Sequence, residues 1–193
     1  MHSGRIEEVI YTRLNPGEDI LEALYDICVQ KDIKTGIILE GSGCALNFTY
    51  QHFPKNPNMC PTNVEIAALE GKCEVSLQGT IGTTVYDVSE DSPKQISKLF
   101  PFVKGVIEND SDKWHMIGSK CGDGSPYIHA HCTATNKDST VCGHLMPGTK
   151  VGSGNAETGK PAHFTVIIAK VSGVELQAVI NDELGFHQNI RSV

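Results

Sequence analysis

No apolar run in this 193-residue chain approaches the roughly 20 residues that a membrane-crossing helix requires, so no such span is expected. The opening residues MHSGRIEEVIYTRL carry acidic side chains and lack an unbroken apolar stretch, so no signal peptide is expected either. Clusters of Lys and Arg are missing, and there is no Arg-Gly-Arg arm. The 16 basic residues are scattered among 23 acidic ones, for a formal charge of −7 and a pI near 5.6. A phosphate backbone demands a concentrated basic surface, so this balance lowers nucleic acid as a partner without removing it. The seven cysteines contain no C-x-x-C pair. An odd count without a secretory signal points to free thiols in a reducing cytoplasm. Internal repeats and low-complexity stretches are also lacking.

What remains is an ordinary globular chain, 39% hydrophobic and 20% charged. Its length suits one core better than two, so residues 1–193 read as a single domain. Residues 5–14 alternate as a strand should. Asn15-Pro16-Gly17-Glu18 then resembles a capping box with proline at the first helical position, and Ile20, Leu21, Leu24, Ile27 and Cys28 fall on one face of the helix that follows. Residues 36–40 and 44–53 read as strands separated by a Gly41-Ser42-Gly43 break, and 56–63 as a loop. Residues 64–69 and 72–81 read as further strands, with Gly71 and Gly79 at turns or bulges. Beyond Gly82 the pattern weakens. A short helix from Ser92-Pro93 to Leu99 and a surface excursion through the ENDSDK run are expected, with a strand returning at 114–119. Residues 164–171 and 174–180 read as a hairpin closed by Ser172-Gly173. Mostly antiparallel strands with one helix make an α+β domain.

The sharpest chemical signal is YIHAHCTATNKDSTVCGHL, residues 127–145. Alternate residues of a strand share a face, so His129 and His131 point the same way. If the polar turn is an even loop centred between Lys137 and Asp138, His131 lies directly opposite His144, and cross-strand Cβ separations of roughly 5 Å let three imidazoles converge. An odd loop would turn His144 to the other face unless a bulge at Gly143 restored the register. Three neutral imidazoles suit zinc, and also iron(II), nickel or copper, with positions left for water or substrate. The competing reading is a His-rich exposed hairpin.

Other residues are weighed against bland alternatives. Cys142 shares the face of His144 and can reach an ion as a thiolate, or be a small buried residue beside Thr133. Cys132 and Cys44 read as buried thiols. Glu74 is a charge within an apolar strand, where an unpaired carboxylate is costly. It is either a hydrogen-bonding or ion-pairing group at a subunit boundary, or a proton acceptor near the metal. His2, His52, His115, His163 and His187 read as surface or core residues, with His115 of interest because its segment precedes the hairpin. Gly154 to Lys160 imitates a phosphate-binding loop, but Pro161 stands where a hydroxyl would hold magnesium. Gly41-x-Gly43 is too little for a dinucleotide site, and close backbone packing explains it.

Four blocks, RLNPGEDILEAL at 13–24, LEGSGCAL at 39–46, LEGKCEVSLQGTIG at 69–82, and YIHAHCTA with CGHLMPGTKV at 127–134 and 142–151, resemble the plants-and-prokaryotes-conserved (PPC) domain family. The tail at 164–186 looks like that family's last two strands. The resemblance implies a compact, curved, mostly antiparallel sheet packed on one main helix and assembled as a homotrimer. It also implies a divalent metal, zinc foremost, on His129, His131 and His144, in a pocket near a subunit boundary. The chain departs from the family in carrying Cys142 where a glycine is usual and Cys73 near a usual aromatic, and residues 83–124 form a longer excursion. No Arg-Gly-Arg-Pro hook of the kind found in the plant members is present. The expectation is a cytoplasmic metal-binding protein that acts on or senses a small polar ligand, with Glu74 as a candidate proton acceptor. The alternative is a DNA-binding or protein-binding regulatory module with a structural metal. The sequence does not decide whether it is an enzyme.

Overall fold

The structure, a computed structural model, describes residues 1–53, 65–87, 114–115, 118–120, 123–154, 162–181 and 185–193. In chain order the elements are β1 (Arg5–Leu14), α1 (Ile20–Gln30), β2 (Gly36–His52), β3 (Glu65–Asp87), β4 (Trp114–His115), β5 (Ser119–Lys120), β6 (Pro126–Thr135), β7 (Thr140–Leu145), β8 (Lys150–Val151), β9 (Phe164–Ser172), β10 (Val174–Asn181) and β11 (Gly185–Ser192). The sheet is antiparallel except for the pairing of β3 with β10.

Four strands fix the position of the site. β2 pairs with β3, β3 with β6, β6 with β7, and β7 returns to β2 through Tyr50↔Leu145 and Gln51↔His144. The pairings therefore close into a ring. Period-two alternation sorts the side chains of these strands. Ile128, Ala130, Cys132 and Ala134 of β6 and Val75 and Leu77 of β3 are buried in one core with Phe48, Leu145, and Ile20, Leu21, Leu24 and Cys28 of α1. The alternate residues His131, Thr133, Ser76 and Gln78 are exposed on the other face. A second, smaller apolar cluster gathers Tyr127, Leu176, Ala178 and Ile180, with Tyr86 and Phe186 packed against it.

Several expected boundaries shift. The helix is capped by Asp19, whose Oδ1 accepts from the Leu21 and Glu22 amides at 3.0 and 3.3 Å while Oδ2 accepts from Gly148 N at 2.6 Å. Asn15 and Glu18 do bond, through Asn15 N to Glu18 Oε2 at 2.7 Å, but they close the turn before the cap. Gly41-Ser42-Gly43 does not interrupt β2. The strand absorbs two register shifts instead, and a Cβ on Gly43 would lie 2.1 Å from the His163 carbonyl oxygen, so glycine permits the close approach of β9. Likewise Gly71 and Gly79 lie inside one long β3, which continues past Gly82 to Asp87. The expected strand at 114–119 is two short strands paired with each other.

The closing hairpin is not one. β9 lies between β1 and β2, whereas β10 lies between β3 and β11. Gly173, at φ +79°, is the single residue between them and too short a link for a two-residue hairpin turn. Thr35 holds the parting: its carbonyl accepts from Val171 N at 2.9 Å and its hydroxyl from Leu176 N at 3.2 Å. The loop expected at 56–63, the helix at 92–99 and the phosphate-loop mimic from residue 155 onward lie outside the described residues. So does most of the 83–124 excursion.

Candidate metal centre

The turn between β6 and β7 is the even loop that the convergence required. Asn136 Oδ1 accepts from the amides of Asp138 and Ser139 at 2.9 and 3.0 Å, which pins Asn136–Ser139 as a four-residue connection. Thr135 faces Thr140, and the ladder runs in register to His131 opposite His144, with no bulge at Gly143. Gly143 serves another purpose. A Cβ there would meet the Gln51 carbonyl oxygen and Tyr50 Cδ2, both at 2.6 Å, so its absence lets β2 close the ring and brings Gln51 opposite His144.

The three imidazoles converge. Ring centroids are 5.1 Å apart for His129 and His131, 5.2 Å for His129 and His144, and 5.4 Å for His131 and His144. One nitrogen from each ring falls in a set whose members all lie within 4.8 Å of one another, and the Nε2 atoms of His129 and His131 are 3.1 Å apart. Ligand nitrogens around a tetrahedral ion with bonds of 2.0–2.1 Å stand about 3.3 Å apart, close to the 3.1 Å between His129 and His131, and the 4.8 Å bound on the whole set leaves the third ring to draw in on a first-row divalent metal. No carboxylate or thiol joins the set among the described residues.

Burial is graded across the cluster: His131 is exposed, His129 half-buried and His144 only 7% exposed. Burial, and then the neighbouring charges of His129 and His131, hold the His144 imidazole down to about 3. Burial and the charge of His131 lower His129 as well. Both effects favour the neutral rings that metal binding needs. His144 Nε2 is buried with no hydrogen-bond partner, an arrangement that costs free energy unless something occupies the position it faces.

Neighbouring elements complete the surroundings. Gly118, at φ +84°, packs over His144. A Cβ there would sit 3.0 Å from His144 Nε2 and 2.0 Å from the Ile128 carbonyl oxygen, so only glycine fits. The adjoining β5 is tied to α1 by Lys120, which bonds Glu22 at 2.6 Å and lies 4.6 Å from the Tyr25 ring centre. Ser119 Oγ and Gln51 Oε1 are buried without partners. Register puts Ser119 on the face of Tyr127 and Gln51 on that of His144. From the far side, Gln188 of β11 reaches His129 Nδ1 at 2.9 Å and the Tyr127 hydroxyl at 2.5 Å. The sequence carried no signal for Gln188, because β11 itself was not foreseen. Gly118, Gln51 and Ser119 were hidden because their roles depend on pairings between distant strands.

Other expected residues take different places. Cys142 stands opposite Thr133 and on the face of His144, but it is exposed rather than buried and lies outside the ligand set. Cys132 is buried and its thiol is pushed well up by desolvation; Cys44 is half-buried. Glu74 is exposed, because alternation turns it away from the core that Cys73 and Val75 enter. It faces Thr135, four residues along β3 from Gln78, the partner of His131, or about 13 Å at ordinary strand rise. His2, His52, His163 and His187 stay outside the cluster. His115 is paired by its backbone with Ser119.

A ring of antiparallel strands carrying one helix and a converging triad of histidines defines the class: a small α+β domain with a candidate metal centre on its sheet. Residues 1–95 match the family model of the Plants and Prokaryotes Conserved domain. The fold is shared with the PPC protein of Pyrococcus horikoshii, with a TM-score of 0.58 at 17% identity over 91% of this chain and 87% of that one. A metal-containing protein of Archaeoglobus fulgidus gives 0.61 at 13% identity over 96% and 95%. A candidate DNA-binding protein of Bacteroides thetaiotaomicron gives 0.56 at 18% identity over 98% and 97%. At these identities the likeness is one of fold. No curated protein matches the sequence. Among the described residues no helix is long and apolar enough to cross a membrane.

Proposed function

We propose that the chain is a divalent-metal protein in which His129, His131 and His144 hold one ion, zinc foremost, with iron, nickel and copper as alternatives, and that it acts on or senses a small polar ligand. One observation carries this reading: three imidazoles converge and the buried His144 Nε2 has no partner of its own. When bound, a divalent ion on three imidazoles supplies Lewis acidity toward an oxygen atom. The protein's part is to keep the rings neutral and fixed. With no carboxylate in the ligand set, an ion would retain its full positive charge, which favours a polar or anionic ligand. Buried Gln51 Oε1, opposite His144, and Ser119 Oγ, opposite Tyr127, are unpartnered polar groups in position to orient one.

A homotrimer with the centre near a subunit boundary completes the proposal. In its support, β1 ends the strand order, and Val9, Tyr11, Ile37 and Leu39 of β1 and β2 are exposed apolar side chains. Glu74, exposed and distant from the chain's own histidines, is then assigned to an ion pair at that boundary rather than to proton transfer. Residues 1–193 are taken as one domain, with 83–124 as its excursion. A reducing cytoplasm suits the five described cysteines, all of them free.

The alternative, a DNA-binding or protein-binding regulatory module with a structural metal, is favoured by the likeness to the Bacteroides protein and opposed by the charge of −7. Metal content measured by mass spectrometry on untagged protein, beside the His129→Ala, His144→Ala double variant, decides between them. About one equivalent per chain, lost in a variant that keeps its oligomeric state by sedimentation, supports a functional centre. Metal-free wild-type protein would overturn the metal reading. Collapse of the assembly on metal loss, or tight DNA binding with a steep salt slope, would favour the regulatory module.

A further inference from the structure

As placed, the amide nitrogen of Gln188, Nε2, lies between two partners at once, donating to the Tyr127 hydroxyl at 2.5 Å and standing 2.9 Å from His129 Nδ1. An amide keeps its shape when its oxygen and nitrogen are exchanged, but the two orientations have opposite consequences for the histidine. If the nitrogen sits between the partners, it donates to Nδ1 and the imidazole proton must be on Nε2, the atom 3.1 Å from His131 Nε2. No lone pair of His129 would then face the cluster. If the oxygen sits there, it accepts from Tyr127 O–H and from His129 Nδ1–H together, and Nε2 turns a lone pair toward its neighbours. The 2.5 Å separation from the phenol falls within the range of O–H···O bonds and below that of N–H···O bonds, which selects the second orientation.

We propose that Gln188, with its amide oxygen shared between Tyr127 and His129, is the positioning residue that fixes the His129 tautomer for metal binding. The proposal rests on the metal reading above and assigns part of the centre's outer support to the last strand of the chain. That strand is itself held in place. β11 pairs along its length with β10, Gln188 stands opposite Ala178, and Ala178 belongs with Tyr127 to the small apolar cluster against which Phe186 packs. The Tyr127 ring in turn lies 5.9 Å from that of His129, at 28° to it. The hairpin supplies the ligands, and a strand more than 40 residues later sets the protonation pattern of one of them.

The test compares Gln188→Glu, which offers only acceptors in nearly the same shape, with Gln188→Met, which offers no hydrogen bond. Zinc affinity is read by competition with a chromophoric chelator, and the His129 tautomer is read in metal-free protein from its imidazole nitrogen NMR shifts. In wild-type protein the proton is expected on Nδ1. Gln188→Met should move it toward Nε2 and weaken zinc about 10- to 100-fold, the usual loss when an outer partner of a metal-binding histidine is removed. Gln188→Glu should keep the Nδ1 proton and hold zinc at least as tightly as wild type. A wild-type Nε2–H tautomer, or unchanged zinc affinity in Gln188→Met, would overturn the proposal. If wild-type protein bound no zinc, the metal reading would fail, while the tautomer measurement would still decide the orientation of Gln188.

Discussion

Residues 126–145 and residues 164–181 each consist of two strands with a short connection, yet the first pair bonds to itself and the second parts to different places in the sheet. The connections account for the contrast. Asn136–Ser139 is long enough to turn the chain, and Asn136 satisfies two of its amides from within. Gly173 alone cannot turn it. There Thr35 accepts from both departing strands and takes the place that one strand would otherwise fill for the other. A local turn makes a site of its own residues. A parting brings residues from afar, as β11 brings Gln188 to His129.

The largest expected effect belongs to the hairpin. Because burial and the neighbouring imidazoles hold His144 down to about 3, the folded chain keeps it neutral where the unfolded chain, at about 6.5, takes a proton. The unfolded state therefore binds more protons between these values. The contribution is full above pH 6.5 and is lost as pH falls toward 3, at up to ~1.4 kcal/mol per unit. Urea unfolding of metal-free protein should show stability dropping between about pH 7.5 and 5.5, above the range where ordinary carboxylates titrate. The slope should flatten in His144→Leu. An identical slope in the variant would remove His144 as its source. Zinc saturation should resist the drop until protons displace the ion.

The parting at Gly173 comes next. Thr35→Val keeps the shape but leaves Leu176 N–H without its acceptor, an expected loss of ~1–3 kcal/mol, or about 2–4 °C in Tm per kcal/mol for a chain of this size. Zinc stoichiometry should not change. A variant as stable as wild type would mean that the strands part without help from Thr35. Asn136→Ala, which removes the internal acceptor of the hairpin turn, should cost less, about 1 kcal/mol, because the exposed amides it frees can turn to water. Its signature is the reverse, with zinc weakened along with stability, since the turn fixes the register that sets His131 opposite His144. If zinc affinity held while stability fell, the register would be carried by the pairings to β2 and β3.

The same contrast explains how much of the molecule could be read from its residues. The register of the triad follows from counting along a hairpin, since His131 and His144 are equidistant from a turn marked by Asn136 and Ser139. β1 and the apolar face of α1 follow from local periodicity. The separation of β9 from β10 does not, because it depends on Thr35, which lies more than 130 residues away along the chain. Nor could the surroundings of the triad be read. Gly118, Gln51 and Gln188 have no chemical signature of their own and matter only because long-range pairing sets them against His144 and His129. Glu74 misled for a related reason: it sits among apolar neighbours in the sequence, but alternation places it on the exposed side of β3.

The smallest expected effect is at Cys142. It shares the face of His144 and stands opposite Thr133, so a regular strand offers it to the ion as a fourth ligand. Two features argue against that role. Its thiol lies outside the group of converging nitrogens, and it is exposed on the side of His144 directed toward the turn, whereas His129 lies on the side away from it. Cys142→Ala should leave zinc affinity within about twofold of wild type, because removing a group that is not a ligand leaves the three nitrogens in place. Cobalt substitution sharpens the test, since a coordinated thiolate adds an intense near-ultraviolet charge-transfer band that three imidazoles and water do not give. A band present in wild-type cobalt protein and absent in Cys142→Ala would add the thiolate to the centre. It would also lower the centre's charge and weaken the case for an anionic ligand.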